Sequence, residues 1–267
     1  MRRMRKELAA LTAGLLLAAA LTGCGAQPSQ GARDSYEAPA RSEQKGRQRA
    51  ATADTAANDA VQADEQGATV PAERPSEEAL AYLEEVGLSG FEFGGGRPIA
   101  YKWTQPIMVE VSGDLADSDR QAIKNVIADL NQLIAPLTIE PVESGGNITI
   151  WYGHDAEFPQ RLPGYTPGNR GYFQVRYDLL GRLTHSDILI STEVGTKERS
   201  HLVREELTQS LGLFCDSWAD KDSIFYQGWT STQKYTALDK QIIQLLYDAR
   251  VKPGMSQQQA ENALRNS

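Results

Sequence analysis

Cysteine and histidine are nearly missing from this chain of 267 residues, which has two of the first and three of the second. Two cysteines cannot build a disulfide scaffold. Positive charge is also in short supply: 27 Lys+Arg stand against 35 Asp+Glu, a formal charge of -8. That balance excludes nucleic acid as a partner, because duplex binding needs a basic surface. Long apolar runs are lacking apart from one of 13 residues, Leu8 to Ala20, so a multi-span membrane protein is excluded. No internal repeat is visible. At 40% hydrophobic and 23% charged, the chain is neither collagen-like nor fully disordered, and its length allows one or two domains.

The first 23 residues read as a secretion signal. Arg2, Arg3, Arg5 and Lys6 form a basic start, and the apolar run that follows is too short for a comfortable membrane span. Leu21-Thr22-Gly23-Cys24 then resembles a bacterial lipobox. The resemblance implies cleavage before Cys24, diacylglycerol on its thiol and acylation of the new amino terminus. The lipid bilayer is thus an expected partner through Cys24. The expected location is the extracytoplasmic face of the cell membrane, or the outer membrane in a two-membrane host, since Gly25 is not a retaining Asp. The mature chain would carry 23 basic and 34 acidic residues, a charge of -11. Several acyl chains on one residue anchor stably where a single chain is marginal. From residue 24 to about 75 the composition is Ala, Gln, Ser, Thr, Asp, Glu and Arg, with Tyr36 and Val61 the only bulky apolar or aromatic side chains before Val70. Such a stretch cannot offset the entropy of ordering, and it reads as a disordered linker with a reach of about 40 Å.

Residues 76–267 have the pattern of a folded domain. Ser76 is an expected N-cap, with acidic residues behind it. Strands are expected at 106–111, 137–141, 147–152, 171–177 and 185–191, where alternating or β-branched residues cluster. A helix capped by Asp117 or Ser118 buries Ile123, Val126, Ile127, Leu130 and Ile134, and Pro136 ends it. Thr196 is read as the cap of a helix over 197–211, closed by Gly212. Residues 154–170 and 216–232 read as loops, and helices follow at 235–249 and 256–265. This order suits an α/β (α+β) domain with one mixed sheet packed by helices.

The helix over 197–211 carries the functional signal. Its end reads Glu205-Glu206-Leu207-Thr208-Gln209-Ser210-Leu211-Gly212-Leu213-Phe214-Cys215. This resembles the metzincin branch of zincin peptidases, in which two ligands four apart share a helix face, a Glu polarises water, and a Gly turns the chain towards a third ligand. Asp222-Ser223-Ile224-Phe225 resembles the tight turn of such domains, and Leu245-Leu246-Tyr247 resembles the end of their closing helix. The resemblance implies a zincin-like fold with Glu206 as general base and Glu205, Gln209 and Cys215 (or Asp216) at the metal positions. The chain departs from the pattern at the ligands, which are not His, and at Phe225, where a Met is usual. The combination Glu-Glu-Leu-Thr-Gln-x-Leu-Gly-Leu looks more like an uncharacterised family of bacterial lipoproteins, with a degenerate metzincin-like domain.

Several readings stay open from the residues. A zinc peptidase would use Glu206 with Glu205, Gln209 and Cys215 or His201, although an amide is a weak zinc ligand. A metal-free hydrolase would pair Glu206 with Asp187 or Asp216. A non-catalytic domain with no cofactor would keep the frame and bind an extended peptide or cell-wall ligand, with Trp218 and Trp229 lining a groove. A structural envelope protein is the remaining class. His154 and His185 read as ordinary loop and strand residues.

Overall fold

The computed structural model of the chain describes residues 20–22, 74–91 and 96–266. The rest of the expected signal peptide, the lipidation residue Cys24 and the linker up to residue 73 lie outside the described residues. Among the described residues no helix is long and apolar enough to cross a membrane.

The chain forms a mixed α/β fold. Its strands are β1 (Ala20–Thr22), β2 (Ile107–Gly113), β3 (Ile139–Val142), β4 (Ile148–Gly153), β5 (Gly171–Tyr177) and β6 (Leu183–Ser191). They form one sheet in the order β1-β5-β6-β4-β2-β3. Strands β2, β3, β4 and β6 run parallel, β5 is antiparallel to β6, and β1 is antiparallel to β5. The helices are α1 (Glu77–Leu83), α2 (Asp117–Leu133), α3 (Phe158–Arg161), α4 (Thr196–Gln209), α5 (Ala237–Tyr247) and α6 (Gln257–Arg265). A π-helical turn, Glu84–Leu88, extends α1.

Strand alternation builds two cores. Ile150 and Tyr152 of β4, Phe173 and Val175 of β5, and Ile188 and Ile190 of β6 join the helices in the main core. Their neighbours Trp151, Tyr172 and Leu189 point to the other face and meet Phe158, Leu162 and Tyr165. The segment over 154–170 was expected to be a plain loop. It instead contains a short 3₁₀ turn and α3, and this is what covers the second face.

Two caps differ from expectation. Helix α2 is not capped by Asp117 or Ser118: Ala116 stands at the N-cap, and the Asp119 carboxylate accepts the Ala116 N–H at 2.9 Å. Helix α4 begins on Thr196 with Gly195 before it, so Thr196 is a first-turn residue and not the cap. Helix α5 has a reciprocal capping box, in which Thr236 Oγ1 accepts from the Asp239 N–H and Asp239 accepts from the Thr236 N–H. The same buried Asp239 carboxylate accepts from Ser223 Oγ at 2.6 Å and from the Ile224 N–H at 3.2 Å, which fixes the 222–225 turn. Asp239→Ala would leave these donors unpaired in the core, so urea unfolding should show a loss of about 3 kcal/mol.

Candidate functional site

Helix α4 is held in place from several sides. Val203, Leu207 and Leu211 are fully buried in the main core. Arg199 Nε donates to Asp119 at 2.8 Å, and Arg204 forms an ion pair with Asp129 at 2.8 Å, so two arginines tie α4 to α2. Arg204 also lies over the Tyr235 ring, with its guanidinium carbon 4.6 Å from the centroid. The carbonyls left over at the helix end are taken by side chains. Trp103 Nε1 donates to Ser210 O at 3.0 Å, and the Tyr247 hydroxyl donates to Leu211 O at 2.9 Å. Gly212 then takes φ +114°, and a Cβ there would overlap the Tyr101 carbonyl oxygen. No other residue type fits this turn.

Held this way, α4 presents Glu206 and Gln209 to the start of β5 and to the chain that follows Gly212. Glu206 is only 2% exposed. Its Oε1 rests against Gly171, where a Cβ would collide with it, so this strand glycine forms a cradle for the carboxyl group. Glu206 Oε2 has no hydrogen-bond partner, and neither has Oε1 of the fully buried Gln209. The other end of the Gln209 amide is occupied, with Nε2 donating to Asp216 Oδ1 at 2.6 Å. Burial raises the Glu206 pKa well above the ordinary carboxyl value, and the nearby Glu205 and Asp216 charges add to the effect. Glu205 turns instead to His201, whose Nε2 lies 3.4 Å away, while His201 Nδ1 donates to Thr232 O at 2.8 Å. Burial opposes the proton on His201, but Glu205 and the Thr232 carbonyl outweigh it, so its pKa lies above the usual value.

The remaining residues singled out in the sequence fall elsewhere. Cys215 is buried against the end of the α1 extension, with Sγ 3.5 Å from Gly90 O and from Ser89 Oγ. Gln209 therefore meets Asp216, the other residue open for that position. Asp187 lies on the sheet and accepts from Thr149, His185 and Arg176, away from Glu206. His154 lies 3.4 Å from Glu193 beyond the end of β4. Trp218 and Trp229 are 65% and 77% exposed, and Trp218 meets Tyr226 edge-on. A cleft of about 510 Å³ lies between α1 and the start of α5, lined by Tyr82, Glu85, Ala219, Asp220 and Leu238 among others. It shares no residue with the Glu206–Gln209 cluster. Trp218 only adjoins its lining in sequence.

Zinc is the ion that the sequence resemblance implies, and these side chains do not fit it. Gln209 offers an amide oxygen, Glu205 is engaged by His201, and the Cys215 thiol points to Ser89 and Gly90. Among the described residues no three His, Cys, Asp or Glu side chains come together to hold an ion. What the cluster offers is a buried carboxyl group, poised to keep its proton, beside an unpaired amide oxygen. Sequence reasoning missed the Gly171 cradle and the Arg199 and Arg204 anchors. The cradle leaves only a glycine at a strand start as a signal, and nothing in the spacing of the two arginines tells an anchor to a neighbouring helix from an ordinary helix-surface charge.

The solved "Structure of Myroilysin" is similar at 16% identity and a TM-score of 0.36, over 55% of this chain and 82% of that one. No curated protein matches. The family described as "Protein of unknown function (DUF2927)" matches residues 80–266. That match spans well over half of the sequence, and the chain belongs to the DUF2927 family.

Proposed function

We propose that this is a lipid-anchored extracytoplasmic protein whose domain captures an extended peptide by strand addition along the outer edge of β5, in a zincin-like frame that has lost its chemistry. The observation that carries the reading is the backbone pairing of β1 with β5, in which Ala20, Leu21 and Thr22 lie opposite Arg176, Val175 and Gln174. A short extended segment of this chain already uses the edge as strand addition requires. Cleavage before Cys24 would remove β1 and leave the outer N–H and C=O groups of β5 unpaired, a row that an added strand satisfies. The Glu206 carboxyl borders the first residue of the same strand, so a bound backbone would lie near a buried acid whose pKa is raised by burial.

The test uses the processed chain, residues 24–267 with Cys24→Ser, and a synthetic peptide of residues 18–23. Hydrogen exchange should show added protection of the amides over 174–176, and a backbone N-methylated peptide should give none. Unchanged exchange across β5 at saturating peptide would sink the reading. A peptidase assay with added zinc covers the second reading: turnover abolished by Glu206→Gln would establish a catalytic domain in place of a binding one.

A further inference from the structure

The turn between β5 and β6 exposes two leucines at once. Leu179 is 86% exposed and Leu180 is 60% exposed, and they are adjacent in the chain. Burial normally rewards such side chains, and here the fold holds them out by design of the backbone. Asp178 accepts from the Leu180 N–H at 2.9 Å and from the Arg182 N–H at 3.0 Å, and the Gly181 N–H donates to Asp178 O at 3.0 Å. Arg97 Nη2 donates to Leu179 O at 2.9 Å. Gly181 is also packed beside Ala100 O and Gly254 N. The turn is therefore preorganised, and its leucines cannot retreat into the core without breaking these bonds.

Basic residues stand next to this tip in a chain whose overall charge is -8. Arg97 and Lys252 are exposed, one bonded to the turn and the other on the strap that packs against it. Arg182 follows directly, paired with Asp178. Two protruding leucines with uncompensated basic residues at their base match a bilayer with anionic headgroups, since apolar tips enter the acyl boundary while Arg and Lys stay at the phosphates.

We propose that the Leu179–Leu180 turn is a membrane-docking tip, which inserts into an anionic lipid surface with Arg97 and Lys252 at the headgroups. This stands apart from the β5 reading and from acylation of Cys24. It is tested on residues 24–267 with Cys24→Ser, which carries no lipid, by co-sedimentation with phosphatidylcholine vesicles with and without phosphatidylglycerol. The protein should partition onto the phosphatidylglycerol vesicles, and added salt should weaken the binding. The double change Leu179→Ser, Leu180→Ser should lower partitioning about tenfold or more, and Arg97→Gln with Lys252→Gln about fivefold or more. All four positions are exposed, and an unchanged circular dichroism melt would confirm that the variants fold. No sedimentation with vesicles, or sedimentation that ignores the leucine changes, would overturn the proposal. So would a dimer in solution that the leucine changes dissolve, because the tip would then be a contact between two copies.

Discussion

Gly212→Ala should cost at least about 4 kcal/mol, among the largest losses a single substitution in this chain can produce. Two effects add at this position. The backbone sits at φ +114°, a conformation that side chains with a Cβ rarely adopt, and the added methyl group would overlap the Tyr101 carbonyl oxygen. Relief would require moving either the segment around Tyr101 or the end of α4. Both are fixed, because Trp103 and Tyr247 bond the last carbonyls of that helix. Gly195→Ala is the control, since φ there is -67° and nothing lies near a Cβ. It should cost about 1 kcal/mol or less in the same urea titration. Equal losses at the two glycines would mean that the Gly212 turn is not the fixed point of the site.

Glu206→Gln should stabilise the protein by about 1 to 3 kcal/mol at neutral pH and remove part of the pH dependence of stability. The carboxyl group is buried with Oε2 unpaired, and its pKa is raised well above 4.5 in the folded state. The folded chain therefore holds a proton that the unfolded chain releases. The contribution of Glu206 to stability is full below about pH 4.5 and is lost as pH rises through the folded-state value. Other carboxyls run the opposite way. Asp248, held low by Arg250, favours folding above its ordinary range. The difference between wild type and Glu206→Gln isolates the one group. Plotted against pH, that difference should grow from pH 4.5 upward. A flat difference would mean that Glu206 reaches solvent, and the buried-acid account of the site would fail with it.

The elements of the fold were largely legible in the sequence, and the reason is local. Strand alternation around Ile148–Tyr152 and Gly171–Tyr177, and the helical spacing of Ile123, Val126, Ile127 and Leu130, follow from which side of one element must leave water. Ser76 and Gly212 marked helix ends because a cap acceptor and a left-handed turn are local needs. The caps of α2 and α4 were misread because Asp, Ser and Thr near a helix start compete for one role, and the choice depends on the path by which the chain arrives. Helix α3 was missed because its four residues have too little periodicity to register, and the sheet face that it covers fixes it.

The site divides in the same way. The sequence by itself determined that a helix would carry Glu205, Glu206 and Gln209 beside a buried stripe and end at a glycine, because spacing along one helix sets which side chains share a face. Only the tertiary structure decided that Glu206 is sealed against Gly171, that Gln209 meets Asp216 while Cys215 turns towards Ser89, and that the leucines at 179 and 180 stay in water. Those outcomes depend on groups far apart in the chain, and their energies come from burial and from pairing across elements, which no local pattern records.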